Sequence, residues 1–160
     1  MRRGERLRKG GTPLAVYCAA SRDERGAAAV ELALILPFLL FALLAIIQFG
    51  LALNNYMELT DGVRAGARQF AISRSGSTPY TTARSAVTAS AVNLTASNVT
   101  ITLRVNGTTC SSDSACSTAL SAASGGSATV SATYPCNLTV MNVNFATGCT
   151  LSSQTTELIE

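Results

Sequence analysis

Residues 27–53 read AAAVELALILPFLLFALLAIIQFGLAL, and this stretch decides what kind of chain this is. Only Glu31, Pro37, Gln48 and Gly50 interrupt a run of Ala, Val, Leu, Ile and Phe. A bilayer core of ~30 Å is crossed by about 20 apolar residues in a helix, and this run is longer than that. A chain of 160 residues has too little other apolar surface to enclose such a helix. The run therefore predicts one transmembrane helix.

A cleavable secretory signal peptide is the main alternative for this run. Signal peptides have a shorter apolar region, about 7–15 residues, that ends at a small-x-small cleavage site. The tripeptide Gly50-Leu51-Ala52 fits that pattern only loosely. The helical pattern also continues beyond the run instead of breaking. We therefore expect the segment to be retained as an anchor.

Positive charge is concentrated before the apolar run. Residues 1–26 hold seven Lys or Arg and three acids, whereas residues 27–160 hold five Arg and six acids. The positive-inside rule then predicts a cytoplasmic leader and an exported region after about Asn54. The expected location is the cytoplasmic (inner) membrane, crossed once. Nucleic-acid binding is not expected, because it would need a basic face on the folded domain.

A candidate processing site lies at the membrane edge, between Gly26 and Ala27. Glu31 follows four residues later, and a carboxylate at the start of a membrane helix is by default a functional hypothesis. Cleavage after Gly26 would make Ala27 a positively charged amine one helical turn from Glu31. In an assembly, Glu31 of one subunit could pair with the Ala27 amine of a neighbour. The alternative is that Gly26 and Glu31 are ordinary interfacial residues.

The block from Arg25 to Ala71 resembles the TadE-like family of tight-adherence (Flp-type) pilus assembly proteins. Within it, Gly-x-x-x-x-Glu before an apolar helix resembles the prepilin-peptidase site of type IV pilins. The matching features are Arg25-Gly26, Glu31, Pro37, Gln48-Phe49-Gly50 and Val63-Arg64-Ala65-Gly66-Ala67-Arg68.

The resemblance implies a minor pilin-like component (a pseudopilin) that acts in the membrane through helix packing. Its implied partners are pilus assembly proteins, other pilin-like subunits and a prepilin peptidase. It also suggests that Pro37, which removes one backbone donor and favours a bend, shapes packing in a bundle of helices. A merely tolerated kink is the alternative for Pro37.

Residues 54–72 are predicted to form an amphipathic stem helix. Apolar side chains recur there at helical spacings on one face, at Tyr56, Leu59, Val63 and Phe70. Gly66 keeps part of the surface narrow, so another helix can approach closely. The face could pack on the chain's own domain or on other subunits.

Residues 73–160 are predicted to form a small exported α+β domain of pilin-like type. Thr78-Pro79 reads as the start of a second helix, with apolar positions at Tyr80, Ala83, Val87, Ala91 and Leu94. The period then changes to two, which predicts strands over residues 98–105 and 127–134, with a less regular third over 137–145. Residues 106–126 read as a loop. An antiparallel sheet packed on a helix is the expected outcome.

Four cysteines lie in the predicted exported region, at positions 110, 116, 136 and 149, and Cys18 lies in the leader. An even count in an oxidising compartment predicts two disulfides, for which three connectivities exist. We favour Cys110–Cys116 and Cys136–Cys149, which close short loops. A zinc site is the alternative, but there is no Cys-x-x-Cys pair and no His in the sequence. No metal or other cofactor is expected.

The sequence does not predict an enzyme or a small-molecule substrate. It has no His, which removes the commonest general base and any Ser-His-Asp arrangement. What the TadE-like resemblance implies, a component of a tight-adherence pilus or a related secretion apparatus, is the leading hypothesis. A membrane-tethered binding module or adhesin, without a role in assembly, is the second hypothesis, and a fully secreted protein is the third.

Overall fold

A computed structural model of the chain describes residues 24–136, 139–140, 143–144 and 146–160. The predicted leader up to residue 23, with Cys18, lies outside the described residues, as does part of the predicted strand over 137–145. The chain divides into two compact units, Met1–Leu39 and Leu40–Glu160. The described part of the first unit is helical from Glu24 onward.

Helix α1 runs from Glu24 to Ile72 and passes through Pro37. It is rich in Ala and Leu, which are strong helix formers. The large apolar side chains of the run are exposed all round the helix, with Phe38 78% and Ile46 70% exposed. A helix that is apolar on every side suits a lipid environment. Both the predicted membrane helix and the predicted stem helix are therefore parts of α1.

Two shorter helices belong to the second unit. Helix α2 is Pro79–Ser90, and it begins at a proline, whose fixed φ suits the first helical turn. Helix α3 is Asp113–Ala122. The Ser112 side chain caps α3 by accepting a hydrogen bond from the Ala115 N–H at 3.3 Å.

Four antiparallel strands form the main sheet, in the order β2-β1-β3-β6. Their bounds are β1 Thr100–Val105, β2 Thr108–Cys110, β3 Ser127–Pro135 and β6 Thr150–Leu158. A separate small hairpin joins β4 Thr139–Val140 to β5 Val143–Asn144. The α+β fold class, with a long apolar N-terminal helix before a helix-and-sheet domain, is confirmed.

A tight turn at Asn106-Gly107 connects β1 to β2. Both residues have positive φ, 47° and 82°, as a type I′ hairpin turn requires. Asn106 tolerates this conformation, and its side-chain Oδ1 accepts a hydrogen bond from the Ser127 N–H at 2.8 Å. The turn residue thus also holds the start of β3.

One face of the sheet is buried and the other is open. The buried face carries apolar residues at alternate positions of β1 and β3, namely Ile101, Leu103, Val105, Ala128, Val130 and Ala132. The register places Leu103 opposite Val130, so the two strands present a continuous apolar surface. Side chains from all three helices join this surface in a single core.

Two sequence predictions for the domain are wrong. The segment 106–126 is not one loop, because it contains β2 and α3. The described residues within 137–145 form two strands of two residues instead of one longer strand. The fourth strand of the main sheet is β6, which pairs with β3 along its whole length.

Two partly buried carboxylates tie the helices to their surroundings. Glu58 accepts a hydrogen bond from the Asn93 N–H at 3.0 Å and another from the Asn93 side-chain amide. Asp113 accepts from the Thr81 N–H at 2.9 Å and from the Thr81 hydroxyl at 2.6 Å. The Asn93 side chain chiefly holds the pKa of Glu58 below its ordinary 4.5. The Thr81 side chain chiefly holds the pKa of Asp113 below its ordinary 3.8.

These shifts give a pH prediction. A carboxyl whose pKa is lowered by folding stabilises the fold fully above its unfolded pKa, and this contribution disappears as the pH falls through the folded pKa. We expect the melting temperature to fall modestly as the pH drops below about 4.5, since both carboxylates still reach solvent, which screens their interactions. The E58Q/D113N double variant should lose part of that slope. Circular dichroism melts of the full chain in detergent measure both, and parallel slopes would contradict the assignment.

Candidate functional site: the apolar helix and its packing face

The apolar part of α1 is the first element of the candidate site. In the part of the chain that the structure describes, one helix, within Gly26–Ser75, is long and apolar enough to cross a membrane. Residues 27–53 extend for about 40 Å at 1.5 Å per residue, which exceeds the ~30 Å of a bilayer core. The length leaves room for tilt or for the polar interface at either end.

The three residues of the predicted processing site lie at the beginning of α1. The helix starts at Glu24, so the Gly26–Ala27 peptide bond lies in its first turn. Gly26 is half-buried, and Ala27 and Glu31 are exposed. Glu31 lies one turn beyond Ala27, so both reach solvent or lipid from the same side of the helix.

The stem face of α1 packs within the chain itself. Leu59, Val63 and Phe70 have no exposed surface, and they belong to the same core as the sheet. Burying side chains of this size contributes about 1.5–3 kcal/mol each. Tyr56, at the membrane end of the same face, remains 44% exposed. The sequence left two alternatives for this face, packing on the chain's own domain or on other subunits. In the structure it packs on the chain's own domain.

Gly62 and Gly66 allow α2 to approach α1 closely. A Cβ on Gly62 would lie only 2.8 Å from the Val87 carbonyl oxygen. A Cβ on Gly66 would overlap the Val87 side chain and lie 3.2 Å from the Ala83 carbonyl oxygen. These two glycines therefore set the separation between the helices.

The opposite side of the stem is open. It carries Met57, which is 66% exposed, and the Asp61–Arg64 ion pair, whose closest atoms are 3.6 Å apart. A shallow groove of about 210 Å³ lies along these residues. Ile72, at the end of α1, is 59% exposed. This outward side of the stem therefore leaves both apolar and charged groups exposed on the surface.

The structure joins Cys110 to Cys116 and Cys136 to Cys149, the pairs that the sequence favours. The first bond links β2 to α3, with the Cα atoms 5.2 Å apart. The second has its Cα atoms 5.3 Å apart, and the Cys136 N–H also donates to the Cys149 carbonyl at 3.1 Å. Among the described residues, no cluster of three or more His, Cys, Asp or Glu side chains could hold a metal ion.

Several polar contacts were beyond the reach of sequence reasoning. Glu58 with Asn93 and Asp113 with Thr81 are separated by 35 and 32 residues. Arg84 donates a hydrogen bond to the Tyr80 hydroxyl at 2.9 Å, and that pair at least has the helical i, i+4 spacing. The long-range pairs carry no such signal.

Comparison with known families identifies the N-terminal segment. A family model described as TadE-like protein matches residues 26–68, which include the candidate processing site, the apolar run and most of the stem. The resemblance drawn from the sequence is thus confirmed for these residues. The match covers about a quarter of the chain, so it shows similarity to TadE-like proteins for this segment. No curated protein and no solved structure matches the chain significantly.

The glycine contact gives a stability prediction. In G66A the added methyl meets Val87, and overpacking of this kind costs about 1–3 kcal/mol. For a domain of about 100 residues this lowers the melting temperature by roughly 5–15 °C. Thermal unfolding of the full chain in detergent, followed by circular dichroism, measures the change.

The matched control is G50A in the same helix. A Cβ at Gly50 has nothing within 4 Å, so the substitution should leave the melting temperature unchanged or slightly higher. Equal effects of G50A and G66A would mean that the helix contact does not limit the packing.

Proposed function

We propose that this chain is a minor pilin-like membrane component that acts in the assembly of a tight-adherence pilus or a related secretion apparatus. The observation that carries the proposal is the TadE-like match over residues 26–68, which coincides with a helix apolar on every side. The action proposed is lateral packing of α1 with helices of other subunits. The partners proposed are pilus assembly proteins, other pilin-like subunits and a prepilin peptidase.

The division of α1 between two uses supports this proposal. The stem face with Leu59, Val63 and Phe70 is occupied by the domain, so it cannot serve other subunits without unfolding. The apolar run and the outward side with Met57 and Ile72 remain exposed. Contacts with neighbours would therefore use the membrane part of α1 and the outward side of its stem.

The orientation proposed has the basic leader in the cytoplasm and residues 54–160 outside it. The charge imbalance across the apolar run supports this direction. The two disulfides in the domain support it as well, because disulfides persist in oxidising compartments and are rare in the cytosol. The compartment proposed is the cytoplasmic (inner) membrane with the domain on its outer side.

The processing step proposed is cleavage after Gly26. It would leave the Ala27 amine beside Glu31, where a carboxylate of a neighbouring subunit could offset the cost of burying a charge near lipid. We expect the membrane-bound protein from a piliated host to begin at Ala27, and intact mass spectrometry of that protein checks this. A protein that retains Met1 would remove the processing step from the proposal.

The E31Q variant tests whether pilus assembly needs the charge of Glu31. It keeps the size of the side chain and removes its charge, so we expect membrane insertion and disulfide formation to persist while complementation of a deletion strain for piliation falls. E160Q, which changes an exposed carboxylate of the domain, is the matched control and should complement fully. Normal piliation with E31Q would remove the Glu31 pairing from the proposal. Normal piliation in the deletion strain itself would overturn the assembly role and favour a tethered adhesin.

A cysteine-labelling experiment tests the orientation. Ser90 is exposed at the end of α2, and S90C should react with a membrane-impermeant maleimide in intact spheroplasts. The experiment uses a C18S background, which removes the cysteine of the leader. The C18S chain without S90C should not react, because its remaining cysteines are in disulfides. Labelling of S90C only after permeabilisation would reverse the proposed topology.

A further inference from the structure

A groove on the second unit lies between the outward side of α2 and the turn at Ala96–Asn98. Its volume is about 570 Å³, large enough for one or two sugar rings. The principal lining residues are Tyr80, Arg84, Ser85, Thr88, Ala96 and Ser97. The groove is separate from the apolar run, the processing site and the stem face.

Arg84 is held in a fixed position within this groove. Its Nη1 donates to the Tyr80 hydroxyl at 2.9 Å, and its guanidinium carbon lies 5.5 Å from the centre of the Tyr80 ring. Within the described ranges, no carboxylate lies within 4 Å of this guanidinium. A guanidinium has five N–H donors, so most of them remain available. A fixed arginine without an acidic partner is suited to binding a carboxylate in a bidentate manner.

Asp113, which binds the first turn of α2, forms no ion pair with Arg84. Asp113 directs both carboxylate oxygens at Thr81, accepting from its N–H and from its hydroxyl. Thr81 precedes Arg84 by three residues, so Asp113 lies at the N-terminal end of the groove. Its charge is held there by hydrogen bonds to the first turn of α2.

The two hydroxyl groups beside Arg84, those of Ser85 and Thr88, both donate their protons to backbone carbonyls of α2. Ser85 donates its hydroxyl proton to the Thr82 carbonyl at 2.9 Å. Thr88 donates its proton to the carbonyls of Arg84 and Ser85, both at 3.2 Å. Because each proton is committed to the helix backbone, these oxygens offer lone pairs to the groove. They can accept hydrogen bonds from a ligand that brings its own O–H groups.

The spacing of these groups matches one sugar ring. Thr88 lies four positions after Arg84 and three after Ser85 on α2, so its side chain neighbours both of them at about 5–6 Å. A ligand that spans them needs a carboxylate at one end and hydroxyl donors roughly that distance away. A simple carboxylate has no hydroxyl donors, and a neutral sugar has no anion for Arg84.

We propose that this groove binds a uronic acid residue of an acidic polysaccharide. The carboxylate of the sugar accepts hydrogen bonds from Arg84, and its ring hydroxyls donate to Ser85 and Thr88. Ser97, on the opposite wall, contacts the other edge of the ring. The need for hydroxyl donors beside the carboxylate favours a sugar over an acidic peptide, because Asp and Glu side chains carry no hydroxyl group. This inference is independent of the role in pilus assembly.

The test uses the full chain in lipid nanodiscs, with trigalacturonate as the probe and calorimetry or fluorescence as the readout. We expect saturable binding of trigalacturonate and at least tenfold weaker binding of its methyl ester, which lacks the charge. R84Q should weaken binding by about tenfold or more, as expected for loss of a charge-assisted hydrogen-bonded pair. R84K should recover part of it, because Lys keeps the charge without the planar fork.

Two further variants keep the result specific. R104Q removes an exposed arginine on the open face of the sheet, so it is the matched control and should bind as wild type does. S85A/T88A should weaken binding several-fold although the charge is unchanged. Melting temperatures measured alongside should show that each variant is folded.

Four results would overturn the proposal: no binding by the wild-type chain, equal binding of the methyl ester, an equal loss in R84Q and R104Q, or binding of triglutamate as tight as that of trigalacturonate. The last result would assign the groove to acidic peptides. Piliation by R84Q, scored in the same deletion strain, should be normal. That separates failure of this proposal from failure of the assembly role.

Discussion

The close contact between α1 and α2 at Gly62 and Gly66 is the constraint on which the domain depends. Because these positions lack side chains, Val87 can lie against the helix backbone. Val63 and Phe70 are then enclosed on all sides, and the sheet can complete the core around them. A helix that is lipid-like at one end thereby also serves as the central element of a water-exposed domain. The two roles meet within one continuous helix.

The parts of the fold that could be predicted from sequence are those whose apolar residues form a long run or recur at a regular spacing. The run over 27–53 identified the membrane helix by length, and alternation in residues 98–105 and 127–134 identified β1 and β3. Both strands lie in the middle of the sheet, where one face is fully buried. Burial on one face is what produces a clear alternation in sequence.

The elements missed by the sequence lie where burial is incomplete. β6 is at the edge of the sheet, and its inward positions include Ser153 and Thr155, so it shows no apolar alternation. Helix α3 is rich in Ser and Thr, which are indifferent helix formers. It is fixed by its Ser112 cap and by the Cys110–Cys116 bond, neither of which has a periodic signature. For the candidate site, spacing indicated the stem face, but the partners of Glu58 and Asp113 came only from the tertiary fold.

The two disulfides have a mechanical consequence for a protein held in place by a helix. They enclose 6 and 13 residue intervals, so a pulling force cannot extend those segments. At about 3.4 Å per residue, roughly 65 Å of chain length cannot be extended by force while the bonds are intact. Neither bond crosses from α1 to the sheet, so under tension only apolar contacts and hydrogen bonds, such as those between Glu58 and Asn93, hold the helix to the domain. A pulling force would therefore separate α1 from the rest of the domain, whereas the two segments closed by disulfides would stay unextended.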